Sequence, residues 1–98
     1  MTSGPYLAGI DVGTNSVKAA LFDLSGTPVR SWASHYPTHR PSPGHVEQDP
    51  RDWTSRVEAA LAALCEGMPK GAIIAVGLCS QVNTHVFVDE KGTALLPA

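Results

Sequence analysis

Two short segments of the sequence combine side chains and backbone groups that could perform chemistry. The first is Gly9-Ile-Asp-Val-Gly-Thr-Asn-Ser-Val-Lys18, where an aspartate, a glycine-containing turn and a lysine follow one another. Successive backbone N–H groups in such a turn form a concave nest that binds phosphate oxygens. A carboxylate suits Mg²⁺, which gives up its hydration shell reluctantly and is usually held through water. The segment therefore predicts a magnesium and phosphate site formed by Asp11, Gly13, Thr14, Asn15 and Lys18.

An ordinary β-hairpin is the alternative interpretation of this first segment. In that interpretation Thr14 and Asn15 only satisfy the backbone of the turn and bind no ligand. The segment is not a Walker A loop, because neither Gly-Lys-Ser nor Gly-Lys-Thr follows it, and it carries no dinucleotide-binding fingerprint. The residues alone leave both interpretations open.

The second segment is Ser80-Gln-Val-Asn-Thr-His85, which directly follows a long apolar run. Ligands of open α/β sheets gather beyond the carboxyl ends of the strands. Side chains of Gln81, Asn83 and His85 at such a place could hydrogen-bond a polyol, whereas the alternative is a plain polar turn. If the strands before the two segments are parallel, both loops lie at the same edge of the sheet and the two functional interpretations support each other.

The elements that must position these segments begin with three strands. Residues 6–13 are a short apolar run closed by glycine, typical of a buried strand, and residues 16–22 alternate between apolar and other positions. The turn between them contains Gly13 and Asn15, which both tolerate a positive φ. A second turn signal at 23–26 precedes a more exposed strand. The pattern predicts an antiparallel three-strand meander with strands at residues 7–12, 17–22 and 29–34.

A single helix follows a proline-rich loop. Asp49 suits the N-cap and Pro50 the first helical position, while Gly67 and Pro69 end the helix near residues 65–66. Apolar residues at three- and four-residue spacing give the helix one apolar stripe. These residues are Trp53, Val57, Ala60, Leu61 and Leu64.

The continuous apolar run at residues 72–79 predicts a central strand that is buried on both faces. The helix then serves as the crossover that brings this strand, at residues 73–78, parallel to the first one. Residues 85–89 and 93–96 predict further strands, joined by a turn at residues 90–92. The fold class is therefore α/β, a mixed sheet with an antiparallel meander, a crossover helix and a parallel central strand.

Composition and charge exclude several classes of protein. The chain has 98 residues, of which 43% are hydrophobic, and a net charge of −2, so no basic field is available for nucleic acid or an anionic membrane. Apolar runs fall short of the ~20 residues that cross a bilayer, and no signal peptide is evident. Cys65 and Cys79 are too few for a disulfide framework or a zinc site. We therefore expect a cytoplasmic protein without nucleic-acid or membrane partners.

Three stretches resemble the FGGY carbohydrate kinases, the relatives of xylulokinase, gluconokinase, ribulokinase and glycerol kinase. Gly9-Ile-Asp-Val-Gly-Thr-Asn-Ser-Val-Lys-Ala-Ala-Leu-Phe-Asp23 resembles the family's first phosphate motif. Gly44-His-Val-Glu-Gln-Asp-Pro-Arg-Asp-Trp53 is similar to the segment before its first helix. Ala75-Val-Gly-Leu-Cys-Ser-Gln-Val-Asn-Thr-His-Val-Phe-Val-Asp-Glu-Lys-Gly92 is similar to its first sugar-contacting loop and the following hairpin. The motifs occur in the family's order and together cover nearly the whole chain.

The resemblance implies a ribonuclease H-like half-domain, the fold shared by sugar kinases, actin and Hsp70-type ATPases. It also implies ATP- and Mg²⁺-dependent phosphorylation of a hydroxyl group on a sugar or polyol. Residues 1–98 would be the N-terminal part of the first kinase domain, inactive alone, because the family's general base and adenosine site have no counterpart in the chain. The oligomeric state stays open, a homodimer included.

The resemblance also carries roles to individual positions. Asp11 matches the family's metal-associated aspartate, which is important for activity. Gln81, Val82 and Asn83 match the sugar loop, in which xylulokinases typically have Met-His and glycerol kinases Arg-Glu at the last two positions. We therefore expect a preferred substrate other than D-xylulose. The phosphate side is matched by Gly13, Thr14, Asn15, Ser16 and Lys18.

Two other functions remain as alternatives at this point. One is an ATPase of the Hsp70-like or actin-like type, against which the Gln81 loop argues because such proteins hold no sugar there. The other is a non-catalytic small-molecule-binding module that is complete at this length.

Overall fold

Four strands and a helix make up the regular structure of the computed structural model, which describes residues 4–98. The elements are β1 (Tyr6–Val12), β2 (Ser16–Asp23), β3 (Pro28–His35), α1 (Pro50–Cys65) and β4 (Ile73–Ser80). The sheet has the order β3-β2-β1-β4, with β2 antiparallel to β1 and β3, and β4 parallel to β1. The predicted meander, crossover helix and parallel pairing are confirmed.

One face of the sheet packs against α1 and forms the core. Alternation along β1 and β2 places Ala8, Ile10, Ala19 and Leu21 on this face, where all four are buried. The predicted apolar stripe of α1 covers them, because its residues are buried or pack against the same core. Burial of one aliphatic side chain of this size contributes about 1.5–3 kcal/mol. The opposite face, here called the open face, carries Gly9, Asp11, Lys18, Ala20 and Phe22 and is not covered by α1.

Both ends of α1 are satisfied by side chains. Asp49 is the N-cap, as predicted, and its carboxylate accepts a hydrogen bond of 2.9 Å from the Arg51 N–H. The last turn of α1 contains no basic residue. Arg30 of β3 supplies the cation instead, and its guanidinium donates to three carbonyl groups at the free end of the helix. These are the carbonyls of Ala63, Leu64 and Glu66, at 3.1, 3.0 and 2.7 Å.

Two turns share the pattern Asp-x-x-Gly-Thr and the same hydrogen bonds. In each, the carboxylate of Asp23 or Asp89 accepts the backbone N–H groups two and four residues later. The predicted turn at residues 90–92 is thus confirmed. The strands predicted on either side of it are wrong: residues 85–89 and 93–96 form only one isolated bridge, between Val88 and Ala94. Most of these side chains are exposed, so no buried face holds a longer ladder in place.

The predicted position of β4 is also wrong in one respect. The strand forms where expected, but it lies at the edge of the sheet, and Ile74, Val76 and Leu78 are 58%, 53% and 70% exposed. The physical reason is that α1 packs over β1, β2 and β3 and leaves β4 uncovered. Within residues 4–98, no helix is long and apolar enough to cross a membrane.

Candidate functional site

Parallel pairing of β1 with β4 brings the two predicted segments together. The register places Asp11 beside Cys79 and Val12 beside Ser80. Just beyond the strands, the Gln81 N–H donates a 2.8 Å hydrogen bond to the Val12 carbonyl. The phosphate turn (residues 13–15) and the sugar-side loop (residues 81–85) therefore leave the same edge of the sheet, as the parallel-strand argument predicted.

The phosphate turn offers fewer amides than its sequence suggested. The Gly13 N–H donates to the Ser16 carbonyl at 2.9 Å and is used by the turn itself. Neither Gly13 nor Asn15 adopts the positive φ that both residue types tolerate. Glycine is suited to position 13 because a Cβ there would lie 3.3 Å from the Ser16 oxygen. Ser16 is buried, whereas Thr14 and Asn15 are exposed and their amides make no hydrogen bond within residues 4–98.

Tyr36 holds the phosphate turn through two hydrogen bonds, and its role was not predicted from the sequence. Its hydroxyl donates to the Gly13 carbonyl, and its backbone N–H donates to the Asn15 carbonyl at 3.1 Å. Burial of the ring, and secondarily the charge of Asp11, raise the pKa of the Tyr36 phenol above its usual range. The phenol therefore remains a hydrogen-bond donor at neutral pH. The only signal in the sequence was an aromatic residue at the end of an otherwise exposed strand.

Asp11 lies on the open face between a cation and a thiol. Lys18 is its partner in the register with β2, and Cys79 is its neighbour in β4. A hydrogen bond to Asp11, together with lesser effects of desolvation and of the Asp11 charge, raises the pKa of the Cys79 thiol. These residues border a shallow groove of about 430 Å³. The groove is lined further by Gly9, Ala20, Phe22 and Gly77.

The single carboxylate of Asp11 suits a metal ion that binds together with a phosphate, and not a metal ion held by protein ligands alone. Residues 4–98 contain no group of three or more His, Cys, Asp or Glu side chains that could hold a metal ion. Structural zinc and calcium sites need several protein ligands. Mg²⁺ needs only one or two carboxylates when substrate phosphates and water complete its shell. Exposed Asp11, beside the phosphate turn, fits that requirement.

The sugar-side loop presents one partly used amide and an exposed tip. Gln81 Nε2 donates to Gln48 Oε1 at 2.9 Å, and Gln81 Oε1 accepts from the Thr84 hydroxyl at 3.1 Å. An amide has two N–H groups and two oxygen lone pairs, so one of each remains for a ligand. Val82 and Asn83 are exposed at the tip, and Asn83 has a φ of 56°, a left-handed conformation that asparagine adopts more readily than most residues.

Gln48 is the second residue that sequence reasoning missed. It lies immediately before the N-cap of α1, only 6% of its surface is exposed, and its side chain contacts both loops. Gln48 Nε2 donates to the Thr14 carbonyl at 2.8 Å, and Gln48 Oε1 accepts from Gln81. Its signal in the sequence was its place in the segment 44–53 that resembles the kinase family, but a polar residue just before a helix is usually exposed.

Comparison with known proteins identifies relatives along nearly the whole chain. The N-terminal-domain model of the FGGY family of carbohydrate kinases matches residues 6–98. The chain is 34% identical over 93 residues to glycerol kinase of Rhodospirillum centenum and 32% identical over 97 residues to gluconokinase of Bacillus subtilis. These matches cover 93% and 99% of this chain but 19% and 18% of the relatives.

A solved structure gives the same result for the fold. The crystal structure of a xyloylose kinase from Brucella ovis matches with a TM-score of 0.85 at 35% identity. The match covers 94% of this chain and 20% of that one. The chain thus spans about a fifth of the length of the relatives it matches.

Proposed function

Because the chain belongs to the FGGY family of carbohydrate kinases, we propose that it is part of an enzyme that phosphorylates a hydroxyl group of a sugar or polyol with ATP. The observation that carries this proposal is the meeting of two unlike loops at one sheet edge, where the Gln81 N–H donates to the carbonyl of Val12, the last residue of β1 before the phosphate turn. Phosphoryl transfer depends mainly on positioning and on charge stabilisation. A kinase needs a phosphate-binding loop beside a hydroxyl-binding loop, and the placement of the two candidate loops at this edge supports that assignment.

On the phosphate side, each role follows from the accessible groups. The amides of Thr14 and Asn15 bind phosphate oxygens, and Lys18 brings a positive charge to them. Asp11 holds Mg²⁺, mainly through water, and so has the catalytic role in this part of the chain. When bound, Mg²⁺ neutralises charge on the phosphate oxygens. Gly13 shapes the turn, and buried Ser16 closes it rather than contacting the nucleotide.

On the acceptor side, the loop suits an uncharged polyhydroxy compound. Gln81 retains one N–H and one lone pair for hydroxyl groups, and Asn83 adds a second amide at the exposed tip. Val82 forms an apolar wall between them. No cationic side chain occurs within residues 80–85 apart from a histidine, so the loop favours neutral over anionic acceptors.

Further segments of a longer polypeptide complete the enzyme in this proposal. Residues 1–98 form the first part of its first domain, and the following segments cover β4. Supporting observations are the apolar exposure of Ile74, Val76 and Leu78 and the length of the relatives. Cys65 and Cys79 are both exposed free thiols, which favours a reducing cytoplasm.

The test uses the intact polypeptide that contains this chain. ADP release is measured with a panel of polyols, ketoses and sugar acids, for the unmodified enzyme, Asp11→Asn and Asp52→Asn. Asp52 is the matched control, an aspartate of α1 on the opposite side of the sheet. We expect acceptor-dependent ADP release that falls about 100-fold or more in Asp11→Asn and by less than about twofold in Asp52→Asn. Absence of acceptor-dependent ADP release, or equal losses in the two variants, would contradict the proposal.

A further inference from the structure

The buried amide of Gln48 uses all of its hydrogen-bonding capacity. Its Nε2 donates to the Thr14 carbonyl at 2.8 Å and to the Thr38 hydroxyl at 2.9 Å. Its Oε1 accepts from Trp53 Nε1 at 3.0 Å and from Gln81 Nε2 at 2.9 Å. An amide offers two donors and two lone pairs, so no further partner can be added. Two partners lie outside the candidate loops: Thr38 is in the segment before α1, and Trp53 is in α1. The other two partners, Thr14 and Gln81, belong to the phosphate turn and the sugar-side loop.

The orientation of this amide is determined by its partners. The indole Nε1 of Trp53 can only donate, so the Gln48 oxygen must face it. The Thr14 carbonyl can only accept, so the Gln48 nitrogen must face that side. A reversed amide would place its nitrogen against the Trp53 N–H and its oxygen against the Thr14 carbonyl, and neither pair could form a hydrogen bond. The bonds to Trp53 and Thr14 therefore specify one arrangement, and in that arrangement the oxygen also accepts from the Gln81 amide.

The main chain of Gln48 is held as firmly as its side chain. Its N–H donates to the Ala98 carbonyl at 3.0 Å, and its carbonyl accepts from the Ala98 N–H at 2.9 Å. The next residue, Asp49, is the N-cap of α1. Gln48 is thus held at the start of α1 by main-chain bonds that involve neither loop.

We propose that Gln48 is a positioning residue that couples the phosphate turn to the sugar-side loop, an inference that rests on the kinase function proposed above. Through the Thr14 carbonyl it sets the direction of the amides that bind phosphate. Through Gln81 it sets which N–H and which lone pair remain for the acceptor hydroxyls. One side chain that contacts neither substrate therefore influences the binding of both.

The first test compares Gln48→Met with two controls in the intact enzyme. Methionine has a similar length but cannot replace the hydrogen bonds, and it leaves the Thr14 carbonyl and the Gln81 amide without their partner. The controls are Thr54→Val and Ser55→Ala, which each remove a hydroxyl of α1 that bonds to a carbonyl of the same helix and touches neither Gln48 nor either loop. We expect Gln48→Met to raise the KM for ATP and the KM for the acceptor about tenfold each, and the controls to change either KM less than about twofold.

The second test separates the effect of the Gln48 bond to Thr14 from the effect of its bond to Gln81. Gln48→Glu keeps oxygen acceptors for Trp53 and Gln81 but places an oxygen against the Thr14 carbonyl. We expect the KM for ATP to rise about tenfold while the acceptor KM stays within about twofold. The rise should grow with pH, because a protonated carboxyl can still donate to Thr14 and an ionised one cannot. A purely structural role would not produce this split or this pH dependence.

The outcomes distinguish failure of the coupling by Gln48 from failure of the proposed kinase function. An unmodified enzyme without acceptor-dependent ADP release refutes the kinase proposal. With an active enzyme, the coupling is refuted if Gln48→Met lowers only the melting temperature or raises only one KM. It is also refuted if Gln48→Glu raises both KM values equally. If Gln48→Met does not fold, the test is Gln48→Glu, which fills the same volume. The coupling is then supported only if the KM for ATP rises with pH while the acceptor KM stays nearly constant.

Discussion

Removing the Tyr36 hydroxyl should loosen the phosphate turn without altering any group that we propose to contact ATP. Tyr36→Phe keeps the buried ring and the backbone bond to Asn15, and deletes only the donor to the Gly13 carbonyl. Leaving such a carbonyl without its donor costs about 1–3 kcal/mol. If about 1–1.4 kcal/mol of this cost reaches the turn as misplacement of the Thr14 and Asn15 amides, the KM for ATP rises about fivefold to tenfold.

The assay is steady-state kinetics of the intact enzyme with ATP and acceptor varied in turn. Tyr6→Phe is the matched control, since Tyr6 is also a buried tyrosine but lies at the opposite end of β1. We expect a selective rise in the KM for ATP in Tyr36→Phe and no change in either KM in Tyr6→Phe. A lowered melting temperature with unchanged KM for ATP in Tyr36→Phe would show that the hydroxyl only stabilises the fold.

The pH dependence of this contribution has a definite sign. The pKa of the Tyr36 phenol is raised by burial and by the charge of Asp11, so the folded protein holds the phenolic proton more tightly than the unfolded chain. Its contribution to stability is therefore fully present below the unfolded pKa of about 10 and is lost as the pH rises through the folded value. Between neutral pH and that point, the KM for ATP should show no titration that Tyr36→Phe removes.

The remaining predictions concern the open face, the loop tip and the isolated chain. Asp11→Ala should lower kcat by about 100-fold or more, roughly 2.7 kcal/mol, with a smaller change in the acceptor KM, because its role is concentrated in the transition state; near-normal kcat would return Asp11 to a structural role. Cys79 should be alkylated by iodoacetamide more slowly than exposed Cys65 at neutral pH, because hydrogen bonding to Asp11 raises its pKa. Site-resolved mass spectrometry should find Cys79 faster in Asp11→Asn, and equal rates in both forms would disprove the contact. Asn83→Ala should change the ranking of acceptors in a sugar and polyol panel, in which D-xylulose is not the best substrate; an unchanged ranking would remove this loop tip from specificity. The isolated 98-residue chain should show no acceptor-dependent ADP release, and turnover by the chain alone would contradict its role as one part of a longer kinase.

Local signals in the sequence predicted most of the framework. Alternation in β1 and β2 gave the meander because one face of a strand must be apolar to be buried. The Asp49-Pro50 start predicted the beginning of α1 because an N-cap acts on amides within the same turn. Parallel pairing of β4 with β1 followed from the crossover helix, and with it the meeting of the two candidate loops. Each of these features depends on residues close together in the chain or on a simple rule of connection.

Burial of the later segments could not be predicted in this way. The run at residues 72–79 is apolar enough for a central strand, yet β4 is exposed because α1 crosses the other three strands. An apolar sequence indicates that a strand has to be buried, but it does not indicate which element packs against it. Residues 85–89 and 93–96 likewise have strand-like sequences, but pairing requires a packed face that is absent within residues 4–98.

The two buried polar residues that hold the site together were decided by tertiary structure alone. Gln48 and Tyr36 lie outside the five strands and helices of residues 4–98, and the turn and loop groups they bond to come from distant parts of the chain. A glutamine before a helix and a tyrosine after a strand are ordinary surface residues by sequence, and burial of their polar groups is favourable only when partners are in place. Those partners assemble only when β1, α1 and β4 are packed together. The sequence by itself therefore indicated two candidate loops, and the packed fold determined which side chains hold them in place.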